Sequence, residues 1–183
     1  VSNRFDPVLY EEREEMDLET RDLYPQKEQG LFPHMFREVE QALDRERVKG
    51  QFRDILGLVL TALSLTSKYS GQFVSCASIS DVVARIAGLP PINPEKGYIH
   101  LNEPTCGGGS LIYAALKEMQ RQGGDYNREL CVTASDKDLR CVHMTYIQMS
   151  LYGVPGVVIH ADVLTVEQWG RWYTPVYLLD DWI

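Results

Sequence analysis

From residue 98 onward, apolar runs of strand length alternate with longer runs at helical spacing, and this alternation restricts the chain to few architectures. The short runs are YIHLN (98–102), LCVTAS (130–135), VVIHA (157–161) and PVYLLDD (175–181). Helical patterns over 109–122 and 138–151 separate the first three, with turns at QGGDYN and YGVPG. EQWGRW reads as a short helical or irregular piece. Strands alternating with helices predict an α/β fold built on a partial parallel sheet of about four strands.

The part before residue 98 is organised differently. Residues 1–33 are charged, carry prolines at 7, 25 and 33, and read as an arm with at most a helical turn in YEEREEMDLETRDLY. Phe36, Val39, Leu43, Phe52, Ile55, Leu56, Val59, Leu60 and Leu63 then recur at helical spacing, predicting one or two helices over 34–66. SISDVVARIAG (78–88) predicts another helix, with Ser78 as cap, Asp81 as its capping-box partner and Gly88 as its end. PPINPEKG (90–97) is a linker. The expected organisation is an N-terminal charged and helical segment, 1–66, followed by an α/β domain, 67–183.

The net charge is −8 and no basic run occurs, which argues against a large nucleic-acid surface and leaves room only for a small basic cleft. Cys76, Cys106, Cys131 and Cys141 form no CxxC pair, and no His or Cys stands at ligand spacing from another, so no metal is expected. They read as buried thiols of a reducing, cytoplasmic compartment. The first residues are polar, and the longest apolar run, ILGLVLTALSL (55–65), is too short to span a bilayer, so no membrane association is expected.

Three glycines, Gly107, Gly108 and Gly109, stand between the first strand and its helix. Glycines there bring backbone amides and a helix N-terminus close to a polar or anionic ligand group. No Lys-Ser/Thr follows, so this is not a P-loop, and the spacing is not GxGxxG. Glu103 ends the first strand and suits a ligand carrying an ammonium group. Asp136 ends the second, where nucleotide-binding α/β folds place an acceptor for ribose hydroxyls. Asp162 follows the third, where a carboxylate can accept an adenine amine. Asp138 is the better N-cap candidate for the second helix. Acid, ribose acceptor and amine acceptor without a phosphate cradle describe S-adenosylmethionine better than NAD.

These residues resemble the γ-type adenine-N6 DNA methyltransferases, especially the modification subunits of type I restriction systems. EPTCGGGS (103–110) is similar to the family's D-P-x-C-G-x-G-x, with Glu for Asp. GQFVSC (71–76) stands where the family carries G-x-F-[YF]-T-P, with the aromatic-Thr-Pro part replaced by Val74-Ser75-Cys76. HADVL (160–164) is similar to G-D-x-L. The resemblance covers about residues 68–165. It implies a Rossmann-like methyltransferase fold with S-adenosylmethionine held by Gln72, Phe73, Glu103, Thr105, Cys106, Gly107, Gly108, Gly109, Asp136 and Asp162, and DNA as the substrate.

Two departures bear on activity. The family's [DN]-P-P-[YF] motif, which orients and stacks the flipped adenine, should close the fourth strand. LLDDWI (178–183) stands there without prolines, so Asp180 and Trp182 are the catalytic candidates. Four strands are also about half the family's sheet, which predicts an open edge covered by a homodimer or partner subunit, or a chain that is a fragment. His143, His160, Trp169 and Trp172 read as packing residues, and Cys106 has no neighbouring base to make it a nucleophile. The alternative to an active methyltransferase is an inactive relative acting as a binding or regulatory module; the third reading is a nucleotide- or NAD-binding domain.

Overall fold

The computed structural model describes residues 10–63, 77–180 and 182. The chain begins with α1 (Tyr10–Asp22), α2 (Gln26–Gln29), α3 (Phe32–Val48), α4 (Ile55–Ala62) and α5 (Ala77–Ala87). It continues with β1 (Ile99–Glu103), α6 (Ser110–Arg121), α7 (Tyr126–Glu129), β2 (Leu130–Asp136), α8 (Leu139–Tyr152) and β3 (Gly156–Asp162). A last strand, β4 (Glu167–Tyr173), precedes α9 (Pro175–Leu179).

The sheet order is β1-β2-β3-β4, with β1, β2 and β3 parallel and β4 antiparallel to β3. The fold is therefore α/β with an open, mixed four-stranded sheet and N-terminal helices. Both parallel crossovers run the same way along the sheet, so right-handed connections lay α6 and α8 on one face. That face carries Ile99, Leu130, Val132, Ala134 and Val158, which join Ile112, Leu116, Val142 and Met149 of the two helices in the core. β2 is buried along nearly its whole length, as the central parallel strand of a covered sheet must be.

Two expectations about the last elements are corrected. The fourth strand is Glu167–Tyr173, read from sequence as a short helical or irregular piece, and the run expected as a strand, 175–181, opens as helix α9. The cause lies in the connections. Only residues 163–166 separate β3 from β4, with Val166 at φ 61, and a parallel return needs a crossover of a dozen or more residues. β4 must therefore run back antiparallel, which makes the sheet mixed rather than parallel. Thr174 is extended and Pro175 occupies the first helical turn, where its fixed φ starts a helix. Tyr173, paired with Val157, faces away from α8, and Tyr177 of α9 stacks on it at 5.6 Å.

Residues 10–33 are also more helical than the expected arm or loop with a helical turn. α1 extends over 13 residues, and α3 starts at Phe32 with Pro33 in its first turn. α7 forms where a plain turn was expected, capped by Asp125, which accepts from Asn127 N at 3.1 Å. Ser78 lies inside α5 rather than capping it, and Asp81 pairs with Lys117 of α6 at 2.6 Å. Gly88 ends α5 in the left-handed conformation, as expected.

α3 and α4 share the core of the α/β part. Leu43 and Phe52 are buried with Tyr113, Tyr126 and Tyr152. Phe52 meets Tyr126 and Tyr152 edge-on, with ring centroids 5.1 and 5.2 Å apart. Tyr152 Oη donates to Arg53 O at 2.9 Å and accepts from Arg53 N at 3.0 Å, fixing the α3–α4 connection to the end of α8. Each large side chain buried this way contributes about 1.5–3 kcal/mol. Among the described residues no helix is long and apolar enough to cross a membrane.

Candidate functional site at the strand tips

Parallel strands with helices between them end at one common edge, and β1, β2 and β3 bring Glu103, Asp136 and Asp162 there. The ladder pairs Glu103 with Ala134 and Asp136 with His160, so the three acids step across adjacent strand ends. The loop after β1 is tied to β2, because Cys106 N donates to Ser135 O at 2.8 Å and Ser135 Oγ donates to Pro104 O at 3.1 Å. The glycines therefore sit over the end of β2, beside Asp136.

Each glycine answers a different demand. Gly107 and Gly109 have φ of 54° and 95°, where a side chain is strained. A Cβ at Gly108 would collide with the Asp54 carboxylate, and one at Gly109 with the Tyr113 hydroxyl. A Cβ at Gly107 would meet nothing within 4 Å. Gly107 is thus the one of the three whose Cα faces open space. Gly109 is also the N-cap of α6 and offers no side-chain acceptor to its first turn.

Several polar groups of the loop are held from within the chain. Gly107 N donates to Asp136 Oδ2 at 2.9 Å. Thr145 Oγ1 donates to Gly107 O at 2.9 Å, and Gln148 Nε2 to Gly108 O at 3.0 Å. Gln148 Nε2 also lies 3.0 Å from Asp54 Oδ1, while its Oε1 accepts from Leu56 N at 3.0 Å. Asp54 is 6% exposed, caps α4 by accepting from Gly57 N at 2.7 Å, and accepts from Ser110 Oγ at 3.2 Å. One carboxylate thus joins α4, α6 and α8 directly beneath the glycine loop. Gly57 and Gly108, from opposite sides, leave the space it fills.

Sequence reasoning missed Asp54, Ser110, Thr145 and Gln148. Asp54 carries a legible signal, an acid just ahead of the apolar run ILGLVL, as an N-cap requires. Gln148 is an amide among the buried positions Val142, Thr145, Met149 and Tyr152 of one helix face. Their meeting is set by tertiary structure alone.

The acids themselves are differently engaged. Glu103 Oε1 accepts from Thr105 N at 3.1 Å, and Thr105 is exposed. Asp136 Oδ1 accepts from Asp138 N at 2.8 Å, and Asp138 caps α8 by accepting from Arg140 N at 2.8 Å. Each Asp136 oxygen keeps a second lone-pair direction for a hydroxyl. Asp162 Oδ2 accepts from Lys137 Nζ at 2.6 Å and Oδ1 from Leu164 N at 3.0 Å. The Lys137 hydrogen bond, then the Leu164 amide, hold the Asp162 carboxyl below the usual carboxylate range. Burial pushes the Cys106 thiol far up, so it stays protonated and contributes backbone rather than nucleophile. Cys131 and Cys141 are likewise raised by burial, to about 11 and about 12. Among the described residues no group of His, Cys, Asp and Glu is arranged to hold a metal.

Other candidates fall elsewhere. Gln72, Phe73 and Cys76 lie outside the described residues. Asp180 is the exposed C-cap of α9. Trp182 packs edge-on against Tyr98, with ring centroids 5.0 Å apart. Tyr98 precedes β1, so this pair sits at the amino end of the strand, roughly 16 Å of chain from Glu103. The structure brings together the three acids and the glycines; it does not bring Asp180 and Trp182 to them. His143 meets Trp172 edge-on at 5.4 Å, and His160 lies 4.7 Å from Trp169, which are packing contacts.

Compared with protein-family models, curated proteins and solved structures, the chain matches none.

Proposed function

We propose that the chain binds S-adenosylmethionine across the carboxyl ends of β1, β2 and β3, as the cofactor-binding part of an adenine-N6 DNA methyltransferase. The observation that carries this reading is Asp136 holding the Gly107 amide at 2.9 Å, with the open side of Gly107 beside it. A ribose acceptor and a bare backbone are thereby joined at one point. Glu103 would attract the ammonium of the methionine part, Asp136 would accept ribose hydroxyls, and Asp162 would accept the adenine amine. Opposite charges within a partly buried crevice interact more strongly than in water. The transfer itself uses the methyl sulfonium's own leaving group, and positioning supplies the acceleration. DNA as the acceptor rests on the motif likeness at 103–110 and 160–164.

A second reading, a binding or regulatory module without transfer activity, is favoured by the place of Asp180 and Trp182 at the opposite end of the sheet. Calorimetry with S-adenosylhomocysteine and transfer of labelled methyl to unmethylated DNA separate the two. Binding that Asp136→Ala abolishes, together with labelled adenine, supports the first. Binding without label supports the second. Absence of binding by the native chain refutes the first reading and leaves of the second only a module that keeps the fold without the pocket.

A further inference from the structure

The tip of β2 carries a lysine between two acids. Lys137 follows Asp136 and precedes Asp138, and its ammonium spans to β3, reaching Asp162 Oδ2 at 2.6 Å. The two partners are unequally fixed. The Asp162 side chain is 11% exposed and its other oxygen is held by Leu164 N, whereas the Lys137 side chain is 73% exposed. The lysine backbone is pinned, with its carbonyl 3.1 Å from His160 Nε2. Glu167 adds a further carboxylate near the ammonium. A largely buried acceptor held on both oxygens thus faces an exposed donor on a flexible four-carbon stem.

We propose that Lys137 is a gate on the adenine end of the site, its ammonium competing with a ligand's exocyclic amine for the same Asp162 oxygen. The inference rests on the adenosyl reading of the site. Ligand binding then requires the exposed ion pair to open, and Asp162 changes one donor for another. Because the pair is exposed on the lysine side, salt weakens it. The competition has a signature that a merely structural lysine lacks: added salt should strengthen binding to the native chain relative to Lys137→Met, because it screens the competing pair, while its screening of Glu103 is common to both proteins.

The test is calorimetry of S-adenosylhomocysteine with the native chain and with Lys137→Met, at low and at high sodium chloride. Thermal unfolding confirms that each protein is folded. Lys137→Met should bind roughly two- to five-fold more tightly at low salt, the size of an exposed pair. As salt rises, the native affinity should approach that of Lys137→Met. Equal or weaker binding by Lys137→Met, with the native chain binding, overturns the gate while leaving the adenosyl reading intact. A native-to-variant affinity ratio that is flat or falls with salt overturns it as well. Failure of both proteins to bind at either salt removes the adenosyl reading and the gate with it.

Discussion

Asp54 and Gln148, 94 residues apart, meet at 3.0 Å beneath the glycine loop, and Gln148 passes the contact on to the Gly108 carbonyl. The shape of the loop therefore depends on a helix that precedes the whole α/β part. Asp54 is a positioning residue, since it lies on the inner side of the loop and away from the open side of Gly107.

Removing that carboxylate should be costly. Asp54→Ala takes the acceptor from Gly57 N and Ser110 Oγ and one of its acceptors from Gln148 Nε2 in a buried site, a loss of roughly 2–4 kcal/mol. Asp54→Asn, which keeps an acceptor and nearly the same volume, should lose less. Urea unfolding checks the order. If Asp54→Ala unfolds at the native midpoint, the latch carries no weight.

The glycines should separate into two kinds. Gly108→Ala drives a methyl into the Asp54 carboxylate and should cost stability of about 2 kcal/mol or more. Gly107→Ala meets open space and carries only the left-handed strain, about 1–2 kcal/mol. Its methyl projects into the crevice, so it should weaken S-adenosylhomocysteine binding beyond what its stability loss explains. Paired unfolding and binding curves for the two variants decide this; equal behaviour of the two would contradict the geometry.

Acid should act through Glu118 on α6. Hydrogen bonds from Arg121, then from Gln122, lower its pKa from 4.5 to about 2. The native value lies below the unfolded one. The pairing therefore stabilises the fold above the unfolded pKa and is lost as pH falls from there toward 2. Carbon-detected NMR of the glutamates should show one midpoint near 2, and Arg121→Met should return it toward the ordinary range. A Glu118 midpoint near 4.5 in the native chain would refute the pairing.

Trp182 should behave as a packing residue. Trp182→Ala removes the edge-on contact with Tyr98, and the ring pair is worth about 0.5–1.5 kcal/mol beyond its buried area. S-adenosylhomocysteine affinity should stay at the native level. A large affinity loss without a matching stability loss would place Trp182 at the crevice after all.

Much of this arrangement was legible before folding. YIHLN, LCVTAS and VVIHA announce β1, β2 and β3 because strands covered by helices need continuous apolar runs, and the acids closing each run mark the tips. Gly88 and Asp138 declare helix ends by chemistry that acts within a few residues. What was hidden depends on contacts far apart in sequence. PVYLL has the apolar look of a strand, and only the short 163–166 link and the Thr174-Pro175 step make β4 the reversed strand and α9 a helix. Trp172 belongs to β4 because its ring closes over the core beside α8. Nothing near Gln148 in the chain tells that it will meet Asp54 and Gly108.

The central claim is that an adenosyl ligand sits across the tips of β1, β2 and β3. The most direct measurement is an amide NMR titration of the labelled chain with S-adenosylhomocysteine. The amides of Gly107, Gly108 and Ser110 should shift together with those of Asp136, Lys137 and Leu164, in one saturable event. Saturation that leaves these amides in place, or shifts confined to the amino ends of the strands around Tyr98, would contradict the account.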